Sequence, residues 1–308
     1  MVSRGGLVWL EAARLSEVPW LVHAFSTRRG GISLAPCAGL NLGFTPSDRR
    51  ERVEQNRRRF LDQLGAEAFV PASARQVHSS RSYVVAHDGG GQLTFHLPGI
   101  QTPVPSSANP PEGDGLITAE PGILLTIRTA DCLPLLLADL RRRIVAAVHA
   151  GWRGALAHII EKTVGDLWRT FGSDPRDLLV ALGPSMRACC FEVGEEVVEA
   201  FHGNFHEAAG FFQKLSPHSA AAADRHSIPF LRDFPPRHAP EHLPAARLDL
   251  IAVARHQLTS AGVKPANILA ADYCTACRTD LFFSHRREGA ATGRQAAVIG
   301  IRRAVGSG

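Results

Sequence analysis

The sequence is poor in cysteine, methionine and tyrosine, with six, two and two of these residues among 308. So few cysteines do not make a disulfide scaffold, and a thiol in a cytosolic protein is more often a metal ligand or a nucleophile. The sequence also lacks an apolar run of the roughly 18 residues that span a bilayer, because Arg128 and Asp131 interrupt the longest one. The first residues do not resemble a signal peptide. We therefore expect a soluble cytoplasmic protein with no membrane partner.

Basic residues exceed acidic ones by 34 to 29, which gives a net charge of +5. A basic protein can bind nucleic acid, but here the arginines form short, separate clusters and no long basic tract. A small anionic substrate accounts better for exposed arginines, because a guanidinium group binds phosphate or carboxylate with two hydrogen bonds. We therefore expect a small-molecule partner and no nucleic acid. The oligomeric state, monomer or homodimer, is left open.

Apolar runs bounded by Gly, Pro and charged residues alternate with segments of helical periodicity. The runs predict strands at 21–26, 82–86, 122–127, 133–138, 144–148, 178–182 and 296–301. The periodicity predicts helices at 49–63, 154–171, 195–201 and 249–261. Asp249 is the expected N-cap of the last helix, and Gly262 is its expected end.

These elements predict one α/β domain over residues 1–308, with a mixed sheet. The two runs between 133 and 148 are close enough in sequence to form an antiparallel pair. Two segments, near 86–113 and 205–246, are rich in Gly, Pro, Ser, Ala or His and show no periodicity. We expect both to be surface loops or lids inserted into the domain.

A predicted hairpin carries the strongest candidate site. Cys132 precedes one apolar run and His149 ends the next, with a polar turn near 139–143 between them. If the hairpin is centred so that paired residue numbers sum to 281, Cys132 lies directly opposite His149. Side chains paired in this way have Cβ atoms about 4.5–5.5 Å apart. That separation suits two ligands of one metal ion, and it suits a Cys–His nucleophile pair equally well.

His78, which follows Gln76 and Val77, is the best candidate for a third ligand. Catalytic zinc sites commonly have three protein ligands and one open position, at which water is activated near neutral pH. The hairpin spacing supports only Cys132 and His149, so His78 has no independent support from spacing.

Other features have weaker signals. The Gly-flanked turn 151–154, which contains Arg153, and the loops 284–287 and 292–294 are phosphate-binding candidates or ordinary basic turns. Cys274 and Cys277 form a single CxxC pair, which is a weak zinc or redox signal without a second pair.

The chain resembles a known family, the purine nucleoside phosphorylases formerly called multicopper polyphenol oxidases or laccase-domain proteins. The resemblance extends nearly from end to end. The segments that carry it are Ser26-Thr27-Arg28, Leu40-Asn41-Leu42-Gly43, Asn56-Arg57, Gln76-Val77-His78, Asp114-Gly115, Thr129-Ala130-Asp131-Cys132, Val148-His149-Ala150-Gly151-Trp152-Arg153-Gly154, Leu182-Gly183-Pro184, Phe191-Glu192-Val193-Gly194, Phe282-Phe283-Ser284 and Thr292-Gly293-Arg294.

The resemblance implies a zinc site at His78, Cys132 and His149. It implies an α/β sandwich related to the catalytic domain of a cysteine-dependent deamidating toxin, the cytotoxic necrotizing factor. It also implies phosphorolysis of adenosine, inosine and methylthioadenosine, and hydrolytic deamination of adenosine. Cys132, His149 and Asp131 are then the catalytic candidates, with Glu192 as an alternative to Asp131. The candidates for holding phosphate or nucleoside are Arg57, Arg153, Arg286, Arg294 and Asn41.

Three alternatives compete with this interpretation. A copper polyphenol oxidase needs closely spaced histidine ligands, and the sequence contains no His-x-His or His-Cys-His, although a three-ligand site can take up Cu²⁺. An amidase that acts on a cell-wall precursor would use Cys132 as a nucleophile and His149 as its base, without a metal. A non-enzymatic metal scaffold would close the site with a fourth ligand such as Cys274 or Cys277.

Overall fold

The computed structural model describes residues 1–104, 110–215 and 245–303. Most of the predicted lid at 205–246 lies outside the described residues. The strands are β1 (Val2–Arg4), β2 (Leu7–Leu10), β3 (Leu21–Ser26), β4 (Val70–Ala72), β5 (Ser82–His87), β6 (Leu93–His96), β7 (Gly115–Thr118), β8 (Ile123–Thr129), β9 (Leu133–Asp139), β10 (Ile144–Ala150), β11 (Leu178–Leu182), β12 (Glu192–Val193), β13 (Phe212–Lys214), β14 (Ala246–Leu248), β15 (Ile268–Ala270) and β16 (Gln295–Ile301). The helices are α1 (Ala13–Ser16), α2 (Arg50–Leu64), α3 (Trp152–Leu156), α4 (Ile159–Phe171), α5 (Glu195–Asn204), α6 (Leu250–Ser260) and α7 (His285–Glu288).

Two mixed sheets pack face to face. The first has the strand order β1-β2-β3-β16-β8-β4, and the second has the order β15-β11-β9-β10-β7-β5-β6. Apolar side chains of β8 and β16, such as Leu125 and Ile299, meet side chains of β9 and β10, such as Leu136 and Val145, in one buried cluster. The central strands are therefore covered on both faces, which is why their sequences are nearly continuous apolar runs.

Helices cover the two outer faces. Phe60 and Leu64 of α2 pack on the first sheet, while α4 and α6 pack on the second through residues such as Val164 and Leu258. A third, small sheet has the strand order β12-β14-β13. In the sequence, its strands come between α4 and α6. The α/β class and the mixed sheet predicted from the sequence are confirmed.

Most predicted elements are present, with two differences. The helix predicted at 154–171 is divided into α3 and α4, because His158 adopts a positive φ of 60° between them. The segment near 86–113 contains a strand, β6, which pairs with β5. Asp249 caps α6 as predicted, since its carboxylate accepts hydrogen bonds from the amides of Ile251 and Ala252. No helix within the described residues is long and apolar enough to cross a membrane.

His23, a buried residue of β3, should make the fold sensitive to acid. Its Nε2 accepts a hydrogen bond from the Ala12 amide, 2.9 Å away, and burial lowers its pKa from 6.5 to about 4. The unfolded chain therefore binds a proton at this residue at a higher pH than the folded chain does. The stability contributed by the neutral imidazole is complete above pH 6.5 and is lost as the pH falls toward 4, by about 3 kcal/mol at most.

Urea unfolding of the wild type and of His23→Gln at pH 7 and pH 4.5 measures this contribution. The difference in unfolding free energy between the two pH values should be smaller for His23→Gln, because the variant has no imidazole to protonate. An equal pH dependence in both proteins would exclude His23 as the cause.

Candidate metal site

Three donor side chains converge where β9 and β10 meet the loop between β4 and β5. The ligand atoms of His78, Cys132 and His149 all lie within 4.8 Å of one another, and Cys132 Sγ is 3.6 Å from His78 Nε2. His149 is buried, Cys132 is half-buried and His78 is exposed. The cluster therefore opens to solvent on the side of His78.

The hairpin that carries Cys132 and His149 has a different register from the one predicted. Asp139 pairs with Ile144 and His149 pairs with Pro134, so that paired numbers sum to 283 and not to 281. The turn spans residues 140–143, and the Asp139 carboxylate accepts hydrogen bonds from the amides of Arg141 and Arg142. The prediction that Cys132 lies directly opposite His149 is therefore wrong. A shift of two keeps both residues on the same face of the sheet, since side chains alternate with a period of two.

Asp114, just before β7, holds both histidines in place. Its Oδ1 lies 2.8 Å from His149 Nδ1 and accepts a hydrogen bond from the His78 amide at 3.0 Å. Its Oδ2 accepts hydrogen bonds from the Ser79 amide and hydroxyl, at 2.6 and 2.8 Å. This carboxylate is fully buried. It therefore fixes the ring of His149 with Nε2 free for the cluster, and it fixes the backbone that presents His78.

The charges of the cluster favour a thiolate. Burial by itself would raise the pKa of Cys132, but the charge of His149 and the hydrogen bonds from His149 and His78 lower it to about 6. Burial likewise opposes protonation of His149, while the Cys132 thiolate and Asp114 raise its pKa. Hydrogen bonds from His149 and Ser79 lower the pKa of Asp114 in spite of its burial. Two imidazoles and one thiolate are ligands that both zinc and copper accept.

A glycine opposite Cys132 leaves room for these ligands. A Cβ atom at Gly151 would lie 2.5 Å from His78 Cδ2 and 3.1 Å from Cys132 Sγ, which is closer than van der Waals contact allows. Glycine is therefore needed at position 151 because any side chain there would clash with His78 and Cys132. Its φ of −76° is accessible to any residue.

Gly151→Ala should weaken metal binding, because the added methyl group displaces the His78 ring. We expect the concentration of free zinc required for half-maximal activity to rise at least about tenfold. Gly165→Ala is the matched control, since no atom lies within 4 Å of the added methyl group and alanine is favoured over glycine inside a helix by about 1 kcal/mol. Equal zinc requirements in both variants would show that this glycine does not protect the site.

Among the predicted substrate-binding residues, Arg294 lies close enough to the cluster for the charge of Cys132 to affect its pKa. Burial lowers the pKa of Arg294, while the charges of Cys37, Cys132 and Asp131 oppose that effect. Its Nη1 donates to the carbonyls of Thr292 and Gly293, both at 2.8 Å. Its Nε and Nη2 make no hydrogen bond within the described part of the chain. This arginine therefore has donors to offer an anion.

Asn41 supports Arg294. The Asn41 side chain is completely buried, and its Oδ1 accepts hydrogen bonds from the Arg294 and Gly43 amides at 2.8 and 3.0 Å. Its Nδ2 donates to Asp48. The geometry thus gives Asn41 a positioning role for the backbone of Arg294.

Arg57 lies elsewhere, at a cavity of about 110 Å³ between α2 and the first sheet. Its Nε and Nη2 donate to the Leu42 carbonyl at 2.9 and 2.8 Å, and its guanidinium stacks on Phe44. Burial and the neighbouring Arg128 lower the pKa of Arg57 to about 10. The cavity lining includes Arg128 but not His78, Cys132 or His149.

Asp131, next to Cys132, has a positive φ of 92° and connects three loops. Its Oδ1 accepts a hydrogen bond from the Thr275 hydroxyl at 2.6 Å, and its Oδ2 accepts one from the Arg286 amide at 2.7 Å. Both oxygens are therefore engaged, which suits a residue that positions the loop of Cys132. Glu192 forms an ion pair with Arg247.

The other two predicted arginines lie near the ends of short helices. The Arg286 guanidinium donates to the Glu192 carbonyl at 3.0 Å. Arg153 is exposed and lies over the Trp152 ring. Arg286 is thus tied to the first residue of β12, whereas Arg153 contacts the neighbouring residue of its own helix.

Sequence reasoning missed Asp114 as a functional residue. The Asp114-Gly115 pair matches a family motif, but nothing in its local pattern identifies a contact with His78 or His149. It also missed the neighbours of Cys274 and Cys277, which are Cys189 and Cys190. All four thiols form a second cluster of possible ligands, separate from the first.

Comparison with known proteins gives a consistent result. A family model described as multi-copper polyphenol oxidoreductase laccase matches residues 22–302. Purine nucleoside phosphorylase YlmD of Geobacillus stearothermophilus is 34% identical over 91% of this chain and 90% of its own length. A purine nucleoside phosphorylase of Deinococcus radiodurans is 35% identical over 98% of this chain and 96% of its own. Adenosine deaminase RL5, from an unknown prokaryotic organism, is 33% identical over 89% of this chain and 91% of its own.

The crystal structure of YlmD supports the same relationship. It superposes on 98% of this chain and 98% of its own, with a TM-score of 0.74 and 30% sequence identity. The family resemblance inferred from the motifs is thereby confirmed. The chain belongs to the multi-copper polyphenol oxidoreductase laccase family, whose members include relatives named purine nucleoside phosphorylase and adenosine deaminase.

Proposed function

We propose that this protein is a zinc-dependent purine nucleoside enzyme. It cleaves adenosine, inosine and methylthioadenosine with phosphate, and it deaminates adenosine. The observation that carries the proposal is the His78, Cys132 and His149 cluster, open on one side and supported by a buried carboxylate. The names of the relatives supply the substrate class.

The donor set and its surroundings fit a zinc ion. One sulfur and two imidazole nitrogens converge, Asp114 leaves His149 Nε2 free, and Gly151 leaves space. A carboxylate behind a histidine ligand is the usual arrangement that fixes its tautomer and raises its basicity. A zinc ion held there would act as a Lewis acid toward water or a substrate oxygen.

The surrounding residues supply binding and orientation. Two guanidinium nitrogens of Arg294, Nε and Nη2, make no hydrogen bond within the described part of the chain and can donate to phosphate, and Asn41 holds the Arg294 backbone. Asp131 keeps the Cys132 loop against the loops of Thr275 and Arg286. Asp114 keeps a proton on His149 Nδ1, so that the imidazole presents Nε2 to the cluster. Phosphorolysis uses the held anion, and deamination does not require it.

Product identification tests the proposal. Metal-quantified protein is incubated with adenosine, with and without phosphate, and the products are separated by chromatography. Adenine with ribose 1-phosphate, formed only when phosphate is present, identifies the phosphorylase, and inosine identifies the deaminase. Arg294→Lys should lower phosphorolysis more than deamination, since lysine keeps the charge but loses the planar donor pair. Absence of both products would refute the proposed function.

A metal-free amidase is a second candidate, because one observation favours it directly. Asp114, His149 and Cys132 form a carboxylate–imidazole–thiol series in which the pKa of Cys132 is lowered, as in cysteine hydrolases. Such an enzyme would share its chemistry, and its fold, with the deamidating cytotoxic necrotizing factor domain, and would act on an amide such as a cell-wall precursor.

Metal removal separates the two candidates. The proposed zinc enzyme should lose its activity on prolonged chelation and regain it when zinc is added, under anaerobic conditions as well. The same anaerobic experiment tests a copper polyphenol oxidase, which needs oxygen. An amidase activity that survives complete metal removal and disappears on alkylation of Cys132 would replace the first proposal with the second.

A further inference from the structure

A second cluster of sulfur ligands lies where two loops meet near the surface. The loop before β12 contributes Cys189 and Cys190, and the loop after β15 contributes Cys274 and Cys277. Their sulfur atoms all lie within 4.8 Å of one another. None of the four is in a disulfide. The two pairs are more than 80 residues apart in sequence, so the chain fold alone brings them together.

The spacing of the sulfurs matches a single tetrahedral ion. Four thiolates about 2.3 Å from one zinc ion have neighbouring sulfurs about 3.8 Å apart. The observed separations are 3.8 Å for Cys189 and Cys190, 3.6 Å for Cys189 and Cys277, and 3.3 Å for Cys190 and Cys277. A [4Fe–4S] cluster would hold all four sulfurs farther apart, because each cysteine binds a different iron, and a [2Fe–2S] cluster would separate them into two distant pairs, one pair on each iron. The cluster therefore suits one ion with four sulfur ligands.

Nearby donors offset the negative charge that such a site carries. The Arg187 amide donates to Cys274 Sγ at 3.4 Å, and Arg287 Nη2 lies 3.8 Å from Cys190 Sγ. Hydrogen bonds and positive charge at the sulfurs stabilise thiolates. When zinc binds, each thiol that becomes a ligand releases its proton to solvent.

We propose that Cys189, Cys190, Cys274 and Cys277 bind a second, structural zinc ion. The site is closed, because four protein ligands leave no open position. It is distinct from the cluster of His78, Cys132 and His149, and it does not depend on the function proposed for that cluster.

The second ion would connect loops that support the first site. Ser185 and Cys274 form a β-bridge, and Thr275 donates to Asp131, next to Cys132. The loop before β12 also receives the Arg286 side chain at Glu192. The ion would thus join the β12 loop to the β15 loop behind Asp131.

Metal analysis of variants tests the second site. Protein is expressed with zinc, purified under reducing conditions and analysed by mass spectrometry for zinc per chain. Relative to wild type, the double variant Cys274→Ser with Cys277→Ser should lose one equivalent, and His149→Ala should keep the equivalent held by the four cysteines. Cys37→Ala is the matched control, because Cys37 belongs to neither cluster, and its zinc content should equal that of the wild type. An unchanged zinc content in the double variant would overturn the proposal.

Alkylation of the wild type gives a test that does not depend on the folding of variants. Cys189 and Cys277 are exposed, so iodoacetamide can reach both of them when they are free thiols. A bound zinc ion should protect all four cysteines until a chelator removes it, with the modified residues identified by peptide mass spectrometry. Equal reaction rates with and without the chelator, or recovery of the four cysteines as disulfides from freshly reduced protein, would contradict the proposed zinc site.

Discussion

Replacing His149 with alanine should abolish both phosphorolysis and deamination. His149 is the buried member of the cluster. One side of its ring contacts Asp114, and the other side faces the place where the ligand atoms of Cys132 and His78 converge. Without it, two ligands remain, one of them exposed. We expect kcat/KM for each reaction to fall at least about a thousandfold, which corresponds to about 4 kcal/mol of transition-state stabilisation.

The measurement is steady-state kinetics with adenosine as the substrate, with and without phosphate, at saturating zinc. His206→Ala is the matched control, since His206 is exposed in the turn after α5, and it should behave as the wild type. Circular dichroism establishes that both variants are folded. Activity of His149→Ala within tenfold of the wild type would exclude the cluster as the catalytic centre.

Asp114→Asn should have the second-largest effect, although Asp114 is not itself a predicted ligand. An amide at this position removes the negative charge that holds His149 Nδ1–H, and it presents an NH₂ group to backbone amides that need an acceptor at Val77, His78 and Ser79. Loss of such a carboxylate behind a histidine ligand typically lowers metal affinity 10–100-fold. We expect the free zinc concentration for half-maximal activity to rise by about that factor.

Asp114→Asn should also unfold more easily, by about 3 kcal/mol, because it breaks a buried charge pair and leaves donors unsatisfied. Asp249→Asn is the matched control for the same chemical change. Asp249 caps α6 by accepting from two backbone amides, and asparagine caps helices as well as aspartate does. The control should keep its stability and its zinc requirement. An Asp114→Asn protein with unchanged zinc requirement would show that Asp114 does not orient the ligands.

The central strands were predictable from sequence because burial on both faces makes them continuous apolar runs, as in β9 and β10. Edge strands were not predictable. β4 has only three residues, two of them exposed, and β6 has no fully buried residue, so neither shows a run or an alternation.

Cys132 and His149 were predictable as site residues because they lie close together in the sequence, at the two ends of one hairpin. Cys132 and His149 flank two runs joined by a short turn, so any hairpin brings them near each other, and the face they share survives the error of two in the predicted register. The exact pairing depends on how the Asp139 carboxylate organises the turn. That detail is not visible in the hydrophobic pattern.

The remaining features depend on contacts between distant segments. His78 lies in a loop and has a positive φ of 60°. Its amide donates to the carboxylate of Asp114, which is 36 residues away in the sequence. Cys189 and Cys190 meet Cys274 and Cys277 only because β11 and β15 pair in parallel. Local sequence patterns do not reveal such contacts. Family resemblance therefore supplied the support for His78, and the sequence indicated only the Cys274 and Cys277 half of the four-cysteine cluster.

Anomalous diffraction at the zinc absorption edge, from crystals of protein that turns over adenosine, tests the central claim most directly. We expect a peak within bonding distance of His78 Nε2, Cys132 Sγ and His149 Nε2, with the remaining coordination position directed toward solvent. Fully active crystals with no zinc between these three residues would contradict the proposal and favour Cys132 as a metal-free nucleophile.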